Sequence, residues 1–579
     1  MTINKSEQME VQAWTGRPVL QALADPAFRR QWDSLYAACP WATVFQTRAF
    51  TEIWYSVYGP AFEPLIVYAR DSAGDLSGLL ALGIDRVTGA LTPAGAHNAE
   101  YHAWLSTADT GDSFIEAAFD HLAARFPRGG LAFLFLPPGA PLGWLKPSRP
   151  WGGRARFRAV PRPLMTVGPG GSVEESLRKK SNKSRISRLR KLGPLRLEVV
   201  RCRKDIEPYL ERIVDSCDLR NGALHDCLPF RDDPFKLEFS LRLVDSPDLT
   251  HTSVLLAGDE FVAAHIGARN GTSVQLGLIA HSPFLAQHSP GKILLLLLAR
   301  ELGDEGFQDL DFTPFGEYKD RFADHSDEAY SGVVFFHKRD AHAYDFRRRA
   351  AGSAKWCLAR AGVTPEAALR RFRSLVRIVR NNGPHGLLFK LVRWVGRRIW
   401  SEQQLNYYRM SPQDTAGKDG DPRLQRDFLA DLLLYEQATP ADRTRSEFLR
   451  DALDRLASGG RAYTAAEGRR LMHYSWLSPV AGPKGTDLGS EIDYPPGSIS
   501  LWDDYTHPSG RGTGLHQASI RARLQEGSAL AAGGGIFCSV LADNGPSRRN
   551  FERMGFRLYA TLVRRWRFGK THWKWTFER

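Results

Sequence analysis

The sequence predicts a mixed α/β protein, and two local patterns together with one long-range repeat support this class. Short apolar segments rich in β-branched and aromatic residues, such as 252–257 and 536–541, are typical of strands. Apolar segments that follow a turn, such as 293–302, are typical of helices. Segments 252–337 and 461–576 share the order strand, strand, strand, helix, strand, short helix, strand. We therefore expect tandem copies of one unit, each with a mixed central sheet.

Length and composition are those of a multidomain globular protein. The chain has 579 residues, too many for one core, with 43% hydrophobic and 25% charged residues. Its first residues lack the apolar stretch and small-residue site of a signal peptide, and its longest apolar run, 293–299, is too short to span a membrane. Six cysteines lack CxxC spacing. We therefore expect a cytoplasmic protein without a disulfide framework or a bound metal.

The first predicted domain, 1–160, mixes helix and strand patterns. An aromatic-faced helix is predicted over 45–58, and two strands over 64–70 and 76–84 are joined by a turn, which predicts a hairpin. A short buried strand is predicted over 131–136. We interpret this domain as a degenerate copy of the repeated unit.

The second predicted domain, 161–340, opens with a strongly basic helix that begins at Ser172 and ends at Gly193. Its lysines and arginines form either a solvated face or the wall of a groove for an anionic substrate or a phosphate. Nucleic acid is the least favoured partner, because no aromatic residues interleave with the charges for base stacking.

The same domain holds a second informative stretch, Ser289-Pro290-Gly291-Lys292, which leads into the apolar helix 293–302. Proline in the first turn is preorganised for a helix, and its missing N–H costs nothing there. The next predicted strand carries Asp311 near its end, and Tyr318 and Lys319 follow shortly.

The last predicted domain, 423–579, is organised around a strand over 498–505, a glycine-rich loop and a helix. The loop and the first helical residues are Arg511, Gly512, Thr513, Gly514, Leu515 and His516. Glycines let backbone N–H groups approach a phosphate, and the free amides of a helix's first turn carry partial positive charge. The arginine adds a planar, permanent cation. This stretch therefore predicts an anion cradle.

A second motif follows the next short strand and consists of Asn544, Ser547, Phe551, Gly555 and Phe556. Together with Arg511 and Gly514 it resembles the acyl-CoA-binding core of the GNAT N-acyltransferase superfamily. The resemblance implies that the loop from Arg511 to His516, with Asn544 and Ser547, binds acetyl-CoA or another acyl-CoA as substrate. Two residues depart from the family pattern. His516 stands where Gly or Ala is preferred, and Phe551 where many members have a tyrosine that protonates the leaving thiolate.

Residues 20–340 resemble the FemAB-like branch of this superfamily, and specifically the CelD/BcsL-type acyltransferases of bacterial cellulose and exopolysaccharide synthesis. The residues that carry the resemblance are Ser289-Pro290-Gly291, Asp311, Tyr318-Lys319 and the early Phe45-Gln46 helix followed by a hairpin. Family members carry a glycine soon after the aspartate, whereas the first one here is Gly316. The resemblance implies that Ser289, Gly291 and Lys292 bind acyl-CoA, and that the acyl group passes to an amine acceptor such as a polysaccharide precursor.

Transfer from a thioester to an amine requires a general base for the amine and polarisation of the carbonyl. In the C-terminal unit the candidate bases are Asp503 and Asp504, which end the strand before the glycine loop. In the central unit we expect Asp311 to orient or deprotonate the acceptor and Lys319 to neutralise developing charge. The alternative interpretation makes Asp311 and Lys319 a structural pair that fixes the strand to its helix.

A basic helical linker, predicted over 341–422, separates the two halves. Residues 338–400 hold sixteen Lys/Arg and three acidic residues, a net charge of +13 against +14 for the whole chain. Two apolar stripes within 369–399, with tryptophans near the end, predict amphipathic helices. Such helices either lie on an anionic membrane surface or pack against the domains with their arginines outward. Residues 411–422 have the composition of a flexible linker.

We therefore expect an acyl-CoA-dependent N-acyltransferase that modifies an amino sugar or another amine in bacterial exopolysaccharide or cellulose biosynthesis. Its expected location is the cytoplasm, at the inner face of the membrane. Two alternatives stay open. One is a catalytically weak, GNAT-like regulator or scaffold of a membrane polysaccharide synthase. The other is FemAB-type transfer of an aminoacyl group from tRNA.

Overall fold

The structure is a computed structural model of the chain. It describes residues 9–168, 170–316, 319–360, 400–414, 421–439, 442–480, 484–485, 491–531, 533–567 and 570–578.

The chain divides into two compact units. The first contains residues 1–217 and 229–352, and the second contains residues 218–228 and 353–579. The domain boundaries predicted at 160, 340 and 422 subdivide these units further and stay a prediction.

The N-terminal part of the first unit is an antiparallel sheet covered by helices. Its elements are β1 (Val11–Thr15), α1 (Arg17–Ala24), α2 (Pro26–Ala38), α3 (Arg48–Tyr58), β2 (Phe62–Arg70), β3 (Leu76–Asp85), β4 (Leu91–Pro93), β5 (Leu105–Ser106), α4 (Gly111–Arg125) and β6 (Gly130–Leu136). The sheet order is β1-β2-β3-β4, with β5 on β3. The predicted hairpin is confirmed, because β2 and β3 pair antiparallel. Three tryptophans without exposed surface, Trp32, Trp54 and Trp104, fill the core.

From residue 155 to 360 the chain forms a second, larger α/β layer. Its elements are β7 (Ala155–Thr166), α5 (Val173–Arg178), α6 (Lys180–Leu189), β8 (Leu195–Val200), α7 (Arg203–Ile206), α8 (Leu210–His225), α9 (Lys236–Val244), β9 (Thr250–Ala257), β10 (Glu260–Asn270), β11 (Ser273–Gln275), β12 (Leu278–His281), α10 (Pro290–Asp304), β13 (Asp309–Asp311), β14 (His325–Phe335) and α11 (Lys338–Arg360).

The basic helix that was predicted as one element from Ser172 is two helices, α5 and α6. Lys179 between them has an extended ψ of 132°. Asn182 is buried and donates to the Ser176 carbonyl at 2.7 Å, which satisfies a backbone acceptor at the end of α5. The break therefore comes from a buried side chain that the charge pattern does not reveal.

A nine-stranded sheet forms the centre of this layer, in the order β6-β14-β7-β13-β11-β10-β9-β8, with β12 on β10. All neighbouring strands pair antiparallel except β11 and β13, which are parallel. Helix α10 packs its leucines against one face, sharing a core with Met165, Val274 and Leu310. The predicted apolar helix over 293–302 is thus confirmed as part of α10.

The second unit repeats the arrangement. Its elements are β15 (Trp400–Met410), β16 (Gln425–Arg426), α12 (Leu429–Leu432), α13 (Arg445–Ala457), β17 (Arg461–Glu467), β18 (Arg470–Pro479), β19 (Lys484–Gly485), β20 (Glu491–Ile492), β21 (Ile499–Thr506), α14 (Leu515–Leu530), β22 (Ile536–Leu541), α15 (Gly545–Arg553), β23 (Arg557–Arg567) and β24 (Lys570–Phe577). An eight-stranded sheet has the order β16-β17-β18-β21-β22-β15-β23-β24, and β19 pairs with β20.

The two large sheets correspond strand by strand. In each, a parallel pair (β11 and β13, or β21 and β22) stands in the middle of antiparallel strands. In each, a strand from earlier in the chain (β7 or β15) inserts antiparallel beside the second strand of that pair. The predicted tandem repeat is confirmed at the level of topology. The inserted strands were not predicted.

The segment between the units is described in part. Helix α11 covers Lys338–Arg360, and β15 begins at Trp400. The two predicted apolar stripes within 369–399 and Trp394 lie outside the described residues. In the part of the chain that the structure describes, no helix is both long and apolar enough to cross a membrane.

Three buried histidines should make the first unit sensitive to acid. Burial lowers the pKa of His102 and His251 to about 4 and that of His265 to about 3. These folded-state pKa values lie below the unfolded value of about 6.5, so the unfolded chain takes up protons first as the pH falls. The stability of the folded state is therefore full above about pH 6.5 and is lost as the pH falls toward 4. We expect the free energy of unfolding to fall by up to ~1.4 kcal/mol per pH unit for each histidine.

Urea unfolding followed by tryptophan fluorescence between pH 7 and pH 4.5 checks this expectation. His102→Gln should reduce the slope of stability against pH. His342→Gln, at an exposed position, serves as the control and should not. Equal slopes in the wild type and His102→Gln would contradict the assignment.

Candidate functional site

The candidate site of the first unit lies where two parallel strands separate. Strands β11 and β13 pair over three residues, from Ser273–Asp309 to Gln275–Asp311. Strand β12 then continues along β10, whereas β13 ends. Carboxyl ends of parallel strands share one edge of a sheet, and α10 starts shortly after β12. The end of β13 and the first turn of α10 therefore both border the gap between the parting strands.

Asp311 ends β13 and is fully buried. Its carboxylate accepts hydrogen bonds from the Tyr101 hydroxyl at 2.8 Å, the Arg162 guanidinium at 3.2 Å and the Thr313 amide at 2.7 Å. Burial raises the pKa of Asp311, although Arg162 acts in the opposite direction. Because Tyr101 comes from the N-terminal part, this one carboxylate joins three separate stretches of chain.

Lys319 is also buried, and its ammonium donates to the Thr313 carbonyl at 3.2 Å, the Thr313 hydroxyl at 3.2 Å and the Pro314 carbonyl at 3.4 Å. An ammonium has three N–H groups, so all of them are used. Burial lowers the pKa of Lys319. Asp311 and Lys319 are thus linked through Thr313. The neighbouring Tyr318 lies outside the described residues.

The loop that both residues hold has unusual backbone geometry. Thr313 has a φ of +58° and Phe315 a φ of +67°, the left-handed region that β-branched and bulky residues avoid. A glycine could adopt this conformation without strain, but the residue that adopts it here is Thr313. Such strain persists only where the surroundings enforce it, and here Asp311 and Lys319 do so.

The first turn of α10 gathers positive charge. Ser289 has a left-handed conformation with a φ of +53°, and Pro290 and Gly291 begin the helix. Burial and the cations of Arg185 and Lys179 lower the pKa of Lys292. Like charges that act on Lys292 in this way lie near it, and such a grouping is unfavourable unless an anion binds there.

Few of these cations are neutralised by the protein. Within the described residues, the only carboxylate in ion-pair range of them is Glu175, 3.8 Å from Lys179. Arg188, on the same helix as Arg185, lowers the pKa of His288 in addition to the effect of burial. The remaining lysines and arginines of α5 and α6 are exposed. The helix pair therefore combines a solvated face with a cationic cluster next to α10.

Sequence reasoning missed two further charged residues at this edge, Glu100 and Lys236. Glu100 is half-buried, and its pKa is raised by burial although Lys319 and Lys236 attract the charged form. The Lys236 ammonium donates to the Asn98 side chain, and burial lowers its pKa. Neither residue stands in a motif. Glu100 and Lys236 come to this edge only when distant segments of the chain fold together.

The second unit contains the same parting of parallel strands, followed by the predicted cradle. Strands β21 and β22 pair over three residues, ending at Leu501–Cys538. Gly512 and Gly514 have φ values of +85° and +84°, so glycine is needed there for its backbone freedom. The cradle residues Arg511, Gly512, Thr513 and Gly514 are exposed.

The predicted binding residues Leu515 and Asn544, which flank the cradle, differ in what they can offer a ligand. The Leu515 side chain is buried in a small core, which leaves only its backbone for a ligand. Asn544 caps α15 by accepting from the Ser547 amide at 3.3 Å. The cap fixes this turn at the carboxyl end of β22.

His516 fills space between α14 and α15. Its Nδ1 lies 2.9 Å from the Asn550 amide nitrogen, its ring makes an edge contact with Phe551 at 5.7 Å, and its Nε2 lies 3.6 Å from Asp504. Burial lowers its pKa. The two residues that depart from the family pattern, His516 and Phe551, therefore pack on each other.

Both carboxylates predicted as bases in this unit have arginine partners. Asp503 accepts from Arg443 at 2.7 Å and is ion-paired with Arg455. Burial acts to raise the pKa of Asp503, yet these arginines hold it below its ordinary value. Asp504 is ion-paired with the fully buried Arg523. Such pairing disfavours proton uptake by Asp503. The role of Asp503 and Asp504 as bases stays a prediction.

Comparison with known proteins finds one segment that is similar to a family. Residues 176–330 match the family model described as an acetyltransferase (GNAT) domain. None of the curated proteins compared with the chain is significantly similar to it. The matched segment contains α10, Asp311 and Lys319, and it supports an acyltransferase-type function.

Several solved structures are weakly similar. The C-terminal domain of a putative lysylphosphatidylglycerol synthetase from Agrobacterium fabrum is 11% identical, covers 51% of this chain and 94% of its own, and has a TM-score of 0.34. FemX is 8% identical, with 53% and 96% covered and a TM-score of 0.35. A putative GNAT acetyltransferase from Novosphingobium aromaticivorans is 19% identical, with 28% and 63% covered and a TM-score of 0.20. At these scores the similarities assign neither a fold nor a function.

The family match and the sheet topology agree on the fold class. The chain is a mixed α/β protein with tandem GNAT-like units. Residues 338–360 between them form a helix, as the sequence predicts for the start of the linker.

The hydroxyl of Tyr101 should stabilise the first unit through Asp311. Tyr101→Phe leaves a buried carboxylate one donor short, and we expect it to lower the free energy of unfolding by about 1–3 kcal/mol. The control is Tyr209→Phe, whose hydroxyl donates at 3.2 Å to the partly exposed Glu198 and should matter little. Urea titration of both variants checks the difference, and equal stabilities would count against the network.

Proposed function

We propose that the first unit transfers an acyl group from acyl-CoA to an amine acceptor at the edge where Asp311 lies. The observation that carries the proposal is the cationic cluster of Lys179, Arg185 and Lys292 at the first turn of α10. A helix N-terminus surrounded by cations suits the phosphates of a nucleotide. Acyl-CoA carries such phosphates and, through the pantetheine arm, a thioester.

The separation of β12 from β13 also supports the proposal. The gap between β12 and β13 gives an extended arm a path from the cations to the loop at Thr313. There the acceptor nitrogen attacks the thioester carbonyl, so that a C–N bond forms, the C–S bond breaks and the thiolate leaves. Asp311 and Lys319 keep the loop in its strained shape, which positions the acceptor side of the gap.

The acceptor class follows from the family resemblance. We take it to be an amino sugar or another amine, such as a precursor of a bacterial exopolysaccharide or of cellulose. Acetyl-CoA is the simplest donor. Aminoacyl transfer from tRNA is less favoured, because the charges next to α10 form a compact cluster and most of the helix pair's other charges are solvated.

For the second unit we propose nucleotide binding with little catalysis, which suits a regulatory or scaffolding role beside a membrane synthase. The specific observation is the packing of His516 on Phe551 and Asn550. Phe551 carries no hydroxyl to protonate a leaving thiolate, and Asp503 and Asp504 are occupied by arginines. General acid–base groups contribute about 10²–10⁴-fold to a rate, so their loss would leave a slow unit.

Isothermal calorimetry with CoA can separate the two proposed binding sites. Losing a charge-assisted phosphate contact costs about 1.5–3 kcal/mol, so Lys292→Ala and Arg511→Ala should each weaken CoA binding at its own unit at least roughly tenfold. Lys204→Ala removes an exposed lysine and is the matched control. An unchanged isotherm for Lys292→Ala would overturn the first site, and one for Arg511→Ala would overturn the second.

We also propose that the first unit touches an anionic membrane surface through α11. An open cavity of about 670 Å³ is lined by three arginines and one aspartate, which are Arg128, Arg347, Arg348 and Asp340. Its apolar walls include Phe335 and Tyr344. In the described part of the chain none of these three arginines has a carboxylate in ion-pair range. A cationic rim over aromatic walls suits a lipid headgroup and the start of its chain.

Vesicle co-sedimentation tests this surface. Arg347→Ala with Arg348→Ala should reduce binding to phosphatidylglycerol vesicles, and wild-type binding should fall with added salt because the attraction is screened. Arg190→Ala with Lys191→Ala removes the same charge from exposed positions directly after α6 and is the control. Equal binding to anionic and neutral vesicles would exclude the electrostatic contact.

A further inference from the structure

We propose that Glu100 is the general base that takes a proton from the acceptor amine in the first unit. This inference rests on the function proposed for that unit and adds a catalytic residue to it. Glu100 belongs to the N-terminal part of the chain, outside the segment 176–330 that matches the acetyltransferase family.

The other charged groups at this edge are already committed to the protein. Both oxygens of Asp311 accept hydrogen bonds, and its side chain has no exposed surface. Lys319 uses all three of its N–H groups on Thr313 and Pro314. Asp327 is bonded to the Arg162 guanidinium at 2.7 Å. A group that exchanges protons with a substrate needs an accessible atom that the protein does not already occupy. Asp311 and Lys319 are buried, and Asp327 is partly exposed but has both oxygens on the Arg162 guanidinium.

Glu100 differs from these residues in its exposure and in its lack of hydrogen-bond partners. Its side chain is only half-buried, so a substrate can reach it. Within the described residues, no donor lies in hydrogen-bonding or ion-pair range of its carboxylate. Buried and half-buried carboxylates in proteins usually have hydrogen-bond donors as partners. A carboxylate without a donor beside the gap is typical of a group whose partner is supplied by the substrate.

Its position also fits the reaction. Glu100 directly precedes Tyr101, whose hydroxyl donates to Asp311, so the pair is fixed at the carboxyl end of β13. The charged groups that face Glu100 are Lys236 of α9, Lys319 of the strained loop and Asp311 of β13. The lysines favour the ionised carboxylate, whereas burial and Asp311 favour the neutral acid. The net effect raises the pKa of Glu100 above its ordinary value, which makes it a stronger base when it is ionised.

The proton balance of the step is simple. The acceptor arrives as an ammonium ion, and the Glu100 carboxylate takes one of its protons. The free amine then forms the C–N bond as the C–S bond breaks. The displaced thiolate, with a pKa of about 8.5, takes the second proton that the acceptor nitrogen must lose to become an amide, and the Glu100 carboxylic acid releases its own proton to water. Glu100 returns to its starting state, and no further reactant is needed.

Kinetics with acetyl-CoA and glucosamine, followed by release of the CoA thiol, test the assignment. Glu100→Gln should lower kcat about 10²–10⁴-fold while leaving CoA affinity by calorimetry unchanged, and Glu100→Asp should fall between the two. Glu260→Gln, at an exposed position on β10, is the matched control and should retain wild-type kinetics.

The pH profile separates a base from a merely structural residue. In the wild type, kcat/KM should rise with pH as Glu100 ionises. Lys236→Met removes a positive charge that favours the carboxylate, so the rise should move to higher pH. Full turnover by Glu100→Gln, or a rise that stays in place in Lys236→Met, would overturn the role of Glu100 alone. A wild type that releases no thiol with any amine would instead overturn the proposed function itself.

Discussion

The first unit is built around one buried carboxylate, that of Asp311. An unpaired charge in a protein interior is costly by several kcal/mol, so the fold must bring donors to it. The donors come from Tyr101, Arg162 and Thr313. Two of them precede the segment 176–330 that matches the acetyltransferase domain. The N-terminal part is therefore required to complete the site, and a fragment limited to the matched segment would leave Asp311 with one of these three donors.

The two units show how one topology supports different sites. Both sheets part at a parallel pair of three residues, and both place a helix after the first strand of that pair. At the first parting an aspartate is held by a tyrosine and an arginine, with an accessible glutamate beside it. At the second, Arg523 is buried against Asp504, and His516 occupies the neighbouring space. Topology fixes where a ligand can bind, and the side chains at the gap decide the chemistry.

Local patterns in the sequence predicted the strands, helix α10 and the glycine cradle, because each depends on residues near one another in the chain. They did not predict β7 and β15 as inserted strands, since pairing partners are set by the whole sheet. The contacts of Asp311 are equally non-local: Tyr101 is 210 residues away and Arg162 is 149 residues away. Glu100 and Lys236 have no motif around them, so only the assembled edge identifies them.

Charge distribution explains why the cluster at α10 matters more than the net charge of the chain. The +14 of the whole protein is nearly matched by the +13 of residues 338–400, so the remaining sequence is close to neutral. A polyanionic donor therefore meets no general attraction at the first unit, and the local field of Lys179, Arg185 and Lys292 with the helix dipole must supply it. Because only three side chains supply this field, each of them contributes a large share of it. Each substitution in the cluster should thus weaken CoA binding separately, and added salt should weaken it further.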